Sequence, residues 1–173
     1  LPQSLPSVEL HHLTVLVVDD NETNREVLSG QLGRWGVKVV TAANGPQALA
    51  LCSEQLQRNP NQPPFDIVLL DMQMPEMDGI EACRELRNMP EFKNTLITFL
   101  TARNEDYSQI AGFDVGADDY IAKPIKPRVL TSRLKALLRR HNEEDSAERF
   151  TVGDIEIDRE RYIITKSGEP MNL

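Results

Sequence analysis

Five short, largely apolar runs recur along the N-terminal part of the chain, at residues 13–18, 37–41, 67–70, 96–102 and 119–122. Runs that are apolar at successive positions, and rich in Val and Ile, are typical of strands buried on both faces of a sheet. Turn-forming residues follow several of them, as in the Met-Pro and Asp-Gly pairs after residue 71. We therefore predict five short strands.

Segments with helical spacing of apolar residues lie between and after these runs, at 21–34, 46–56, 79–87, 105–115 and 126–140. The first is predicted to bury Val27, Leu28 and Leu32, and the fourth Ile110 and Phe113. Strands that alternate with helices in this way predict an α/β fold, a doubly wound five-stranded parallel sheet with helices on both faces.

The two ends of the chain have a different pattern. Residues 1–12 contain two prolines without periodicity and are predicted to form a tether. Residues 142–149 are polar and acidic, which predicts a linker. Residues 150–158 alternate between apolar and polar side chains as a half-exposed strand does, residues 161–166 follow as a second strand, and 167–169 predict a hairpin turn. A short C-terminal antiparallel β fragment results, too small to be stable alone, and we expect it to be weakly anchored or to pair with another copy.

Composition narrows the functional classes. Hydrophobic residues make up 40% and charged residues 27%, as in ordinary globular proteins. No apolar run is long enough to span a membrane and no signal peptide precedes the first strand, so we expect a cytoplasmic protein. The net charge of −8 argues against binding nucleic acid through the overall field. Cys52 and Cys83 fall among aliphatic neighbours, which predicts reduced core residues.

Candidate chemistry lies at the ends of the strands, where open α/β sheets bind ligands. Asp19 and Asp20 follow the first strand and Asp71 follows the third. Three carboxylates at one sheet edge need a neutralising charge, and an all-oxygen site suits Mg²⁺. The alternative is that Asp19 and Asp20 only cap the next helix, but Asp71 at a second strand end favours the metal site.

The remaining strand ends complete a pattern. The fourth strand ends on Thr101, and the fifth is followed by Lys123 and Pro124. Together with the three acids, this order resembles the receiver (CheY-like) domain of two-component response regulators. The matching segments are VVDDN (17–21), LDMQMPEMDG (70–79), LTA (100–102), GADDY (116–120) and KP (123–124).

The resemblance implies a receiver domain over residues 13–141 with the flavodoxin-like strand order 2-1-3-4-5. Asp71 would be the phosphoacceptor for a histidine kinase or a phosphotransfer protein, with Lys123 and Thr101 contacting the phosphoryl oxygens. Asp20, Asp71 and the backbone carbonyl of Gln73 would bind Mg²⁺ directly, and Asp19 through water. Such a protein is not an enzyme beyond its own phosphotransfer and dephosphorylation.

The same resemblance implies how a signal would leave the site. Thr101 and Tyr120 would form the switch, and the peptide before Pro124 would be cis. The surface of helices 105–115 and 126–140 would change shape and form a homodimer through Asp118, Asp119, Arg133 and Arg140. Val129 departs from this scheme, because an acid is usual at its position. Gln73 and Arg103 would tune the loss of the phosphoryl group.

Two relationships are visible along the chain. The N-terminal half resembles the receiver of a hybrid sensor kinase. The C-terminal part resembles an OmpR/PhoB-family regulator, in which residues 150–173 would begin the β-platform of a winged-helix effector domain. DNA binding would need the complete effector domain, whose recognition helix is missing. We hypothesise a recombined chain with its seam at residues 88–94.

Three other functions compete with the phosphoacceptor switch. A haloacid-dehalogenase-like phosphatase needs a second acid two residues after the nucleophile, where this chain has Gln73. A nucleotide- or flavin-binding module needs a glycine-rich phosphate loop after the first strand, where Asp19 and Asp20 stand instead. A pseudo-receiver that only binds partners is the main alternative, although Asp20, Asp71, Thr101 and Lys123 are all present.

Overall fold

The computed structural model describes residues 9–102, 114–158 and 163–171, and the backbone alone for 143–152. The chain divides into two compact units between Arg133 and Leu134. The sequence had placed the end of the first domain at residue 141. Among the described helices, none combines the length and the apolarity that crossing a bilayer requires.

A five-stranded, all-parallel sheet forms the N-terminal unit. Its strands are β1 (Thr14–Val18), β2 (Lys38–Ala42), β3 (Ile67–Asp71), β4 (Leu96–Thr101) and β5 (Asp119–Ala122). They are ordered β2-β1-β3-β4-β5, and each neighbouring pair is parallel. The predicted fold class and strand order are confirmed. Parallel strands bring all five carboxyl ends to one edge of the sheet.

Four α-helices lie in the described part of the chain: α1 (Glu22–Arg34), α2 (Gly45–Arg58), α3 (Gly79–Arg87) and α4 (Pro127–Glu148). Each of the first three begins at a side-chain cap, where Asn21, Asn44 or Asp78 accepts a backbone N–H from three residues ahead. A short 3₁₀ helix, Pro90–Phe92, interrupts the predicted loop 88–94. The predicted helix 105–115, with Ile110 and Phe113, lies outside the described residues.

Both faces of the sheet are buried. Leu16, Val18 and other alternate strand residues join α2 and α3 in one apolar cluster, whereas Val15 and Val17 point to the opposite face and are also fully buried. Leu28 and Leu32 of α1 are buried as predicted, but Val27 is 51% exposed, so that prediction is wrong. Leu28 and Leu32, four residues apart, define the inward stripe, and Val27 lies one 100° step away from it.

In the described residues, the end of the predicted tether (9–12) and the predicted linker both differ from what was predicted. Leu10 is buried and its carbonyl accepts the Leu13 N–H, so the chain is already packed before β1. Residues 142–148 continue α4 rather than forming a linker. No glycine or proline occurs between Arg140 and Arg149, so nothing in this polar stretch breaks the helix.

The C-terminal unit contains a four-stranded antiparallel sheet. Its strands are β6 (Arg149–Val152), β7 (Ile155–Asp158), β8 (Ile163–Lys166) and β9 (Glu169–Pro170), in that order. The single strand predicted over 150–158 is wrong, because Gly153, at a φ of 66°, turns the chain between β6 and β7. The predicted hairpin turn is confirmed at Ser167 and Gly168, which have φ values of 53° and 85°.

Candidate functional site

Three carboxylates meet at the carboxyl edge of the sheet. Asp19 and Asp20 follow β1, and Asp71 ends the neighbouring strand β3. One carboxylate oxygen from each lies within 4.8 Å of the others. Asp19 is fully buried, Asp71 is 5% exposed, and Asp20 is exposed. The acidic cluster predicted from the strand ends is therefore present, with two deep carboxylates and one that faces solvent.

The ammonium group of Lys123 forms ion pairs with two of these carboxylates. Lys123 Nζ lies 3.1 Å from Asp19 Oδ2 and 3.3 Å from Asp71 Oδ1. Its backbone N–H donates to the Thr101 carbonyl at 2.7 Å, which fixes the chain just after β5. The Lys123–Pro124 peptide is cis, as the resemblance implied. The sequence thus correctly placed Lys123 beside the acids, although it lies 104 residues from Asp19.

The hydroxyl at the end of β4 lies at the same edge. Thr101 follows Leu100, the residue paired with Asp71 in the parallel register of β3 and β4. The Thr101 side chain is buried, and its hydroxyl donates to the Ala102 carbonyl at 2.6 Å. Tyr120, its predicted switch partner, is also buried, and its ring lies 5.5 Å from that of Phe99. Arg103 lies outside the described residues.

A close turn presents Asp71 at the end of its strand. The Gln73 N–H donates to Asp71 Oδ1 at 3.2 Å, so the backbone of Gln73, whose carbonyl was a predicted ligand, lies beside the cluster. The Gly79 N–H donates to the Met72 carbonyl. A Cβ at Gly79 would press against the Asp71 carbonyl and approach Met72 Cα to 2.8 Å. Glycine is therefore needed where α3 begins against the strand end.

The electrostatics of Asp71 are unbalanced. Burial raises the pKa of Asp71 to about 6, and the charge of Asp19 adds to the increase. Lys123 and the Gln73 N–H lower the pKa of Asp71 but do not offset burial. Burial lowers the pKa of Lys123, yet Asp19 and Asp71 outweigh it and hold that pKa above its ordinary value. Within the part of the chain that the structure describes, the site thus contains three carboxylates and one ammonium.

Two residues of α1 that the sequence analysis did not assign to the site contact Asp19. The Asn24 side-chain amide donates to Asp19 Oδ2 at 3.4 Å, and Arg25 Nη1 donates to the Asp19 carbonyl at 2.7 Å. Their position in the first helical turn after two strand-end acids was the available signal. Sequence spacing alone did not say that both side chains turn back toward β1.

An open groove of about 190 Å³ adjoins the cluster. Asp19, Asn24 and Lys123 form its polar wall, and its mostly apolar remainder consists of Val27, Leu28, Pro124 and Ile125. The exposed Val27 therefore lies at the rim of the site rather than in the core.

Three of the four residues predicted to form a dimer face, Asp118, Asp119 and Arg133, have partners within this chain. Asp118 Oδ2 accepts from Arg87 Nη2 at 2.9 Å and from the Ile97 N–H at 2.8 Å. Arg133 Nη1 lies 3.3 Å from Asp119 Oδ1. Arg140 is exposed on α4. The sequence analysis did not identify Arg87, which forms an ion pair with the carboxylate of Asp118.

Comparison with known proteins shows which family this chain resembles. Residues 15–135 match the family described as response regulator receiver domain. The transcriptional regulatory protein AfsQ1 of Streptomyces coelicolor is 38% identical over 160 residues, which are 92% of this chain and 66% of AfsQ1. This chain thus spans about two thirds of that relative. The alignment runs through residues 88–94, so one continuous relative accounts for the sequence on both sides of the hypothesised seam.

Two solved structures add the fold. The chemotaxis protein CheY4 of Vibrio cholerae is 33% identical, with a TM-score of 0.64 over 72% of this chain and 98% of CheY4. The Thermotoga maritima regulator DrrB, described as an OmpR/PhoB homologue, is 29% identical, with a TM-score of 0.61 over 93% of this chain and 66% of DrrB. The chain belongs to the response regulator receiver family of two-component systems.

Proposed function

We propose that this chain is a phosphoacceptor switch, in which Asp71 takes a phosphoryl group from the phosphohistidine of a histidine kinase or a phosphotransfer protein. The observation that carries the proposal is the position of Lys123 Nζ, 3.3 Å from Asp71 at the rim of a three-carboxylate cluster. This arrangement provides a nucleophile, a fixed positive charge and unneutralised oxygens in one place.

The cluster fits Mg²⁺. Its donors are all oxygens, they converge within 4.8 Å, and among the described residues one ammonium, that of Lys123, pairs with them. Asp20, Asp71 and the Gln73 carbonyl would hold the ion directly, and Asp19 through water. When bound, Mg²⁺ supplies positive charge against the phosphoryl oxygens, whose charge grows in the loose transition state.

The protein groups act as follows. The ionised Asp71 carboxylate attacks phosphorus, a P–O bond to Asp71 forms, and the P–N bond to the donor histidine breaks. The Lys123 ammonium neutralises one phosphoryl oxygen. The Thr101 hydroxyl exchanges its neutral acceptor, the Ala102 carbonyl, for a charged phosphoryl oxygen, which makes the stronger hydrogen bond. Movement of Thr101 then changes the space beside Tyr120, a population shift between two states.

The phosphodonor would dock at the groove beside the cluster. Exposed Val27 and half-buried Ile125 offer an apolar surface, and Lys123 and Asp19 line the same groove. A donor protein seated there brings its phosphohistidine to the open side of the acids. An apolar contact next to the reacting atoms positions them without adding charge to the site.

Output would pass through the helix 126–140 surface and the C-terminal unit. AfsQ1 is described as a transcriptional regulatory protein and DrrB as an OmpR/PhoB homologue. By that similarity we infer that the four-stranded sheet begins a DNA-binding effector domain. Dimerisation through Asp119 and Arg133 would exchange an intrachain ion pair for one between copies, whereas Asp118 would first have to release Arg87.

The test is the intact mass of the protein after incubation with Mg²⁺ and a small acyl phosphate. We expect one phosphoryl adduct in the wild type and none in Asp71→Asn or in EDTA. Asp119→Asn is the matched control, because it removes a buried carboxylate at the first residue of β5, outside the acidic cluster, and it should still be labelled. Failure of the wild type to form the adduct would contradict the proposal and favour a pseudo-receiver.

A further inference from the structure

Arg25 ties helix α1 to the turn that carries two of the three acids. Its backbone N–H donates to the Asn21 carbonyl at 3.1 Å, within the first turn of the helix. Its guanidinium Nη1 reaches back to the Asp19 carbonyl at 2.7 Å. Arg25 is partly buried and therefore holds this contact against the protein rather than in open solvent.

Asp19 has other restraints besides Arg25. Its N–H donates to the Ala42 carbonyl of β2 at 3.2 Å. Its carboxylate accepts the Asn21 N–H at 2.8 Å and lies 3.1 Å from Lys123 Nζ. The backbone nitrogen and the side chain of Asp19 are therefore fixed without Arg25. The Asp19 carbonyl, which belongs to the peptide joining Asp19 to Asp20, is held by Arg25.

Asp20 depends on that peptide. Its side chain is exposed and, within the described part of the chain, makes no hydrogen bond or ion pair. The nitrogen of Asp20 belongs to the peptide whose carbonyl oxygen accepts the Arg25 guanidinium, so a rotation of that peptide would displace the Asp20 side chain. Asp20 is nevertheless one of the three acids whose oxygens converge.

We propose that Arg25 is a positioning residue for the metal ligand Asp20, acting through the Asp19–Asp20 peptide. The inference rests on the proposed Mg²⁺ site. The positioning role and the charge of Arg25 predict opposite effects of its removal on Mg²⁺ affinity. A cation near the acids repels Mg²⁺, so removing the charge alone would tighten Mg²⁺ binding. Loss of the positioning contact would weaken Mg²⁺ binding.

The experiment is calorimetric titration of the full chain with MgCl₂, without any phosphodonor. For Arg25→Gln we expect a dissociation constant about tenfold higher than that of the wild type, the size of effect that residues behind metal ligands produce. Arg34→Gln is the matched control, since it removes the same charge from an exposed position on the same helix and should leave the constant unchanged.

The outcomes separate the two proposals. An unchanged or lower dissociation constant in Arg25→Gln would overturn the positioning role. A wild type that takes up no Mg²⁺ would instead overturn the proposed function. Thermal unfolding in EDTA checks that each variant folds. If Arg25→Gln does not, Arg25→Lys is judged by the same criterion, because a single ammonium does not reproduce the fork of the guanidinium.

Discussion

Two clusters of charged residues in the N-terminal unit differ in the ratio of cations to carboxylates. Arg87 and Asp118 form one ion pair at 2.9 Å. Lys123 pairs with Asp19 and Asp71 at 3.1 and 3.3 Å in the other. In the first, one cation meets one anion. In the second, one cation serves two buried carboxylates, with a third nearby.

The Arg87 cluster is balanced in charge, and four of the five guanidinium N–H groups donate hydrogen bonds. Besides Asp118, the guanidinium donates to three backbone carbonyls, those of Phe92, Thr95 and Gly116, at 2.7 to 2.9 Å. The Asp118 carboxylate also accepts the Ile97 N–H. This cluster closes the end of α3 onto the segments that enter β4 and β5, so we assign it to stability.

The Lys123 cluster has two buried carboxylates beside one ammonium, and the pKa of Asp71 is raised to about 6, chiefly by burial and to a lesser extent by the charge of Asp19. A surplus of buried negative charge lowers stability but creates affinity for a cation or for an electrophilic phosphoryl group. Both clusters contain an ion pair, so an ion pair alone does not identify a functional site. What separates the structural cluster from the candidate functional one is the balance between cations and carboxylates.

Breaking the Arg87 cluster should have the largest effect. Arg87→Ala leaves Asp118 without its cation and three carbonyls without their donor. We expect the free energy of unfolding to fall by about 3 kcal/mol, the usual cost of removing one partner of a largely buried pair. Urea denaturation followed by circular dichroism measures it.

The matched control for this variant is Arg58→Ala. Arg58 pairs with Glu54 at 2.7 Å, but both side chains are more than half exposed. That loss should cost about 0.5 kcal/mol or less. Equal effects of the two substitutions would contradict the assignment of Arg87 to stability.

Relieving the unbalanced cluster should have the opposite sign. Asp71→Asn removes a carboxylate whose pKa in the folded protein is raised, so in EDTA at pH 7.5 we expect the variant to be more stable by about 1 to 2 kcal/mol. The neutral amide of this variant would lose the ion pair with Lys123, but Asp19 retains its own. Thermal unfolding of both proteins gives the difference.

The pH dependence follows from the same shift. A raised pKa means that the folded wild type binds a proton more readily than the unfolded chain between pH 3.8 and about 6. Relative to Asp71→Asn, the wild type should therefore gain stability as the pH falls through this window, so the gap should close within it and stay constant below pH 3.8. A gap that widens on acidification would show that Lys123, rather than burial, dominates the pKa.

The fold class and most of the candidate site could be predicted from the sequence, because the ends of strands can be recognised from local sequence patterns. Asp71, Thr101 and Lys123 each follow a short apolar run, and the parallel topology brings such ends to one edge. The alternation of strands and helices likewise indicated the fold class. These features need only periodicity and connection rules.

The features that could not be predicted depend on the direction in which a side chain points, or on the absence of a glycine or proline that would end a helix. Asn24 and Arg25 turn back toward Asp19, and Asp118 turns inward to Arg87 rather than outward to a dimer face. Polarity between Arg140 and Arg149 suggested a linker, yet a helix without glycine or proline continues through it. Composition predicts exposure there, not backbone conformation.

A fourth prediction concerns the unbalanced cluster without the Lys123 ammonium. Lys123→Met takes away one positive charge next to Asp19 and Asp71. On the proposed function Mg²⁺ should then bind roughly tenfold more tightly or better, since the repulsion between a unit charge and a divalent ion about 5 Å apart is roughly 1.7 kcal/mol in a water-like medium. On the same proposal, phosphorylation by an acyl phosphate should become slower in this variant, because the Lys123 ammonium would no longer neutralise a phosphoryl oxygen. Calorimetry and intact mass measure the two effects, and weaker Mg²⁺ binding would contradict this account.

The smallest predicted effect tests the same contrast between satisfied and unsatisfied groups without charge, in two buried threonines of similar depth. The Thr95 hydroxyl donates to the Phe65 carbonyl at 3.1 Å, whereas the Thr98 hydroxyl has no hydrogen-bond partner among the described residues. Thr98→Val should therefore stabilise the protein by about 0.5 kcal/mol and Thr95→Val destabilise it by about 1 kcal/mol. Urea denaturation resolves the opposite signs, and a loss of stability in Thr98→Val would mean that its hydroxyl has a partner after all.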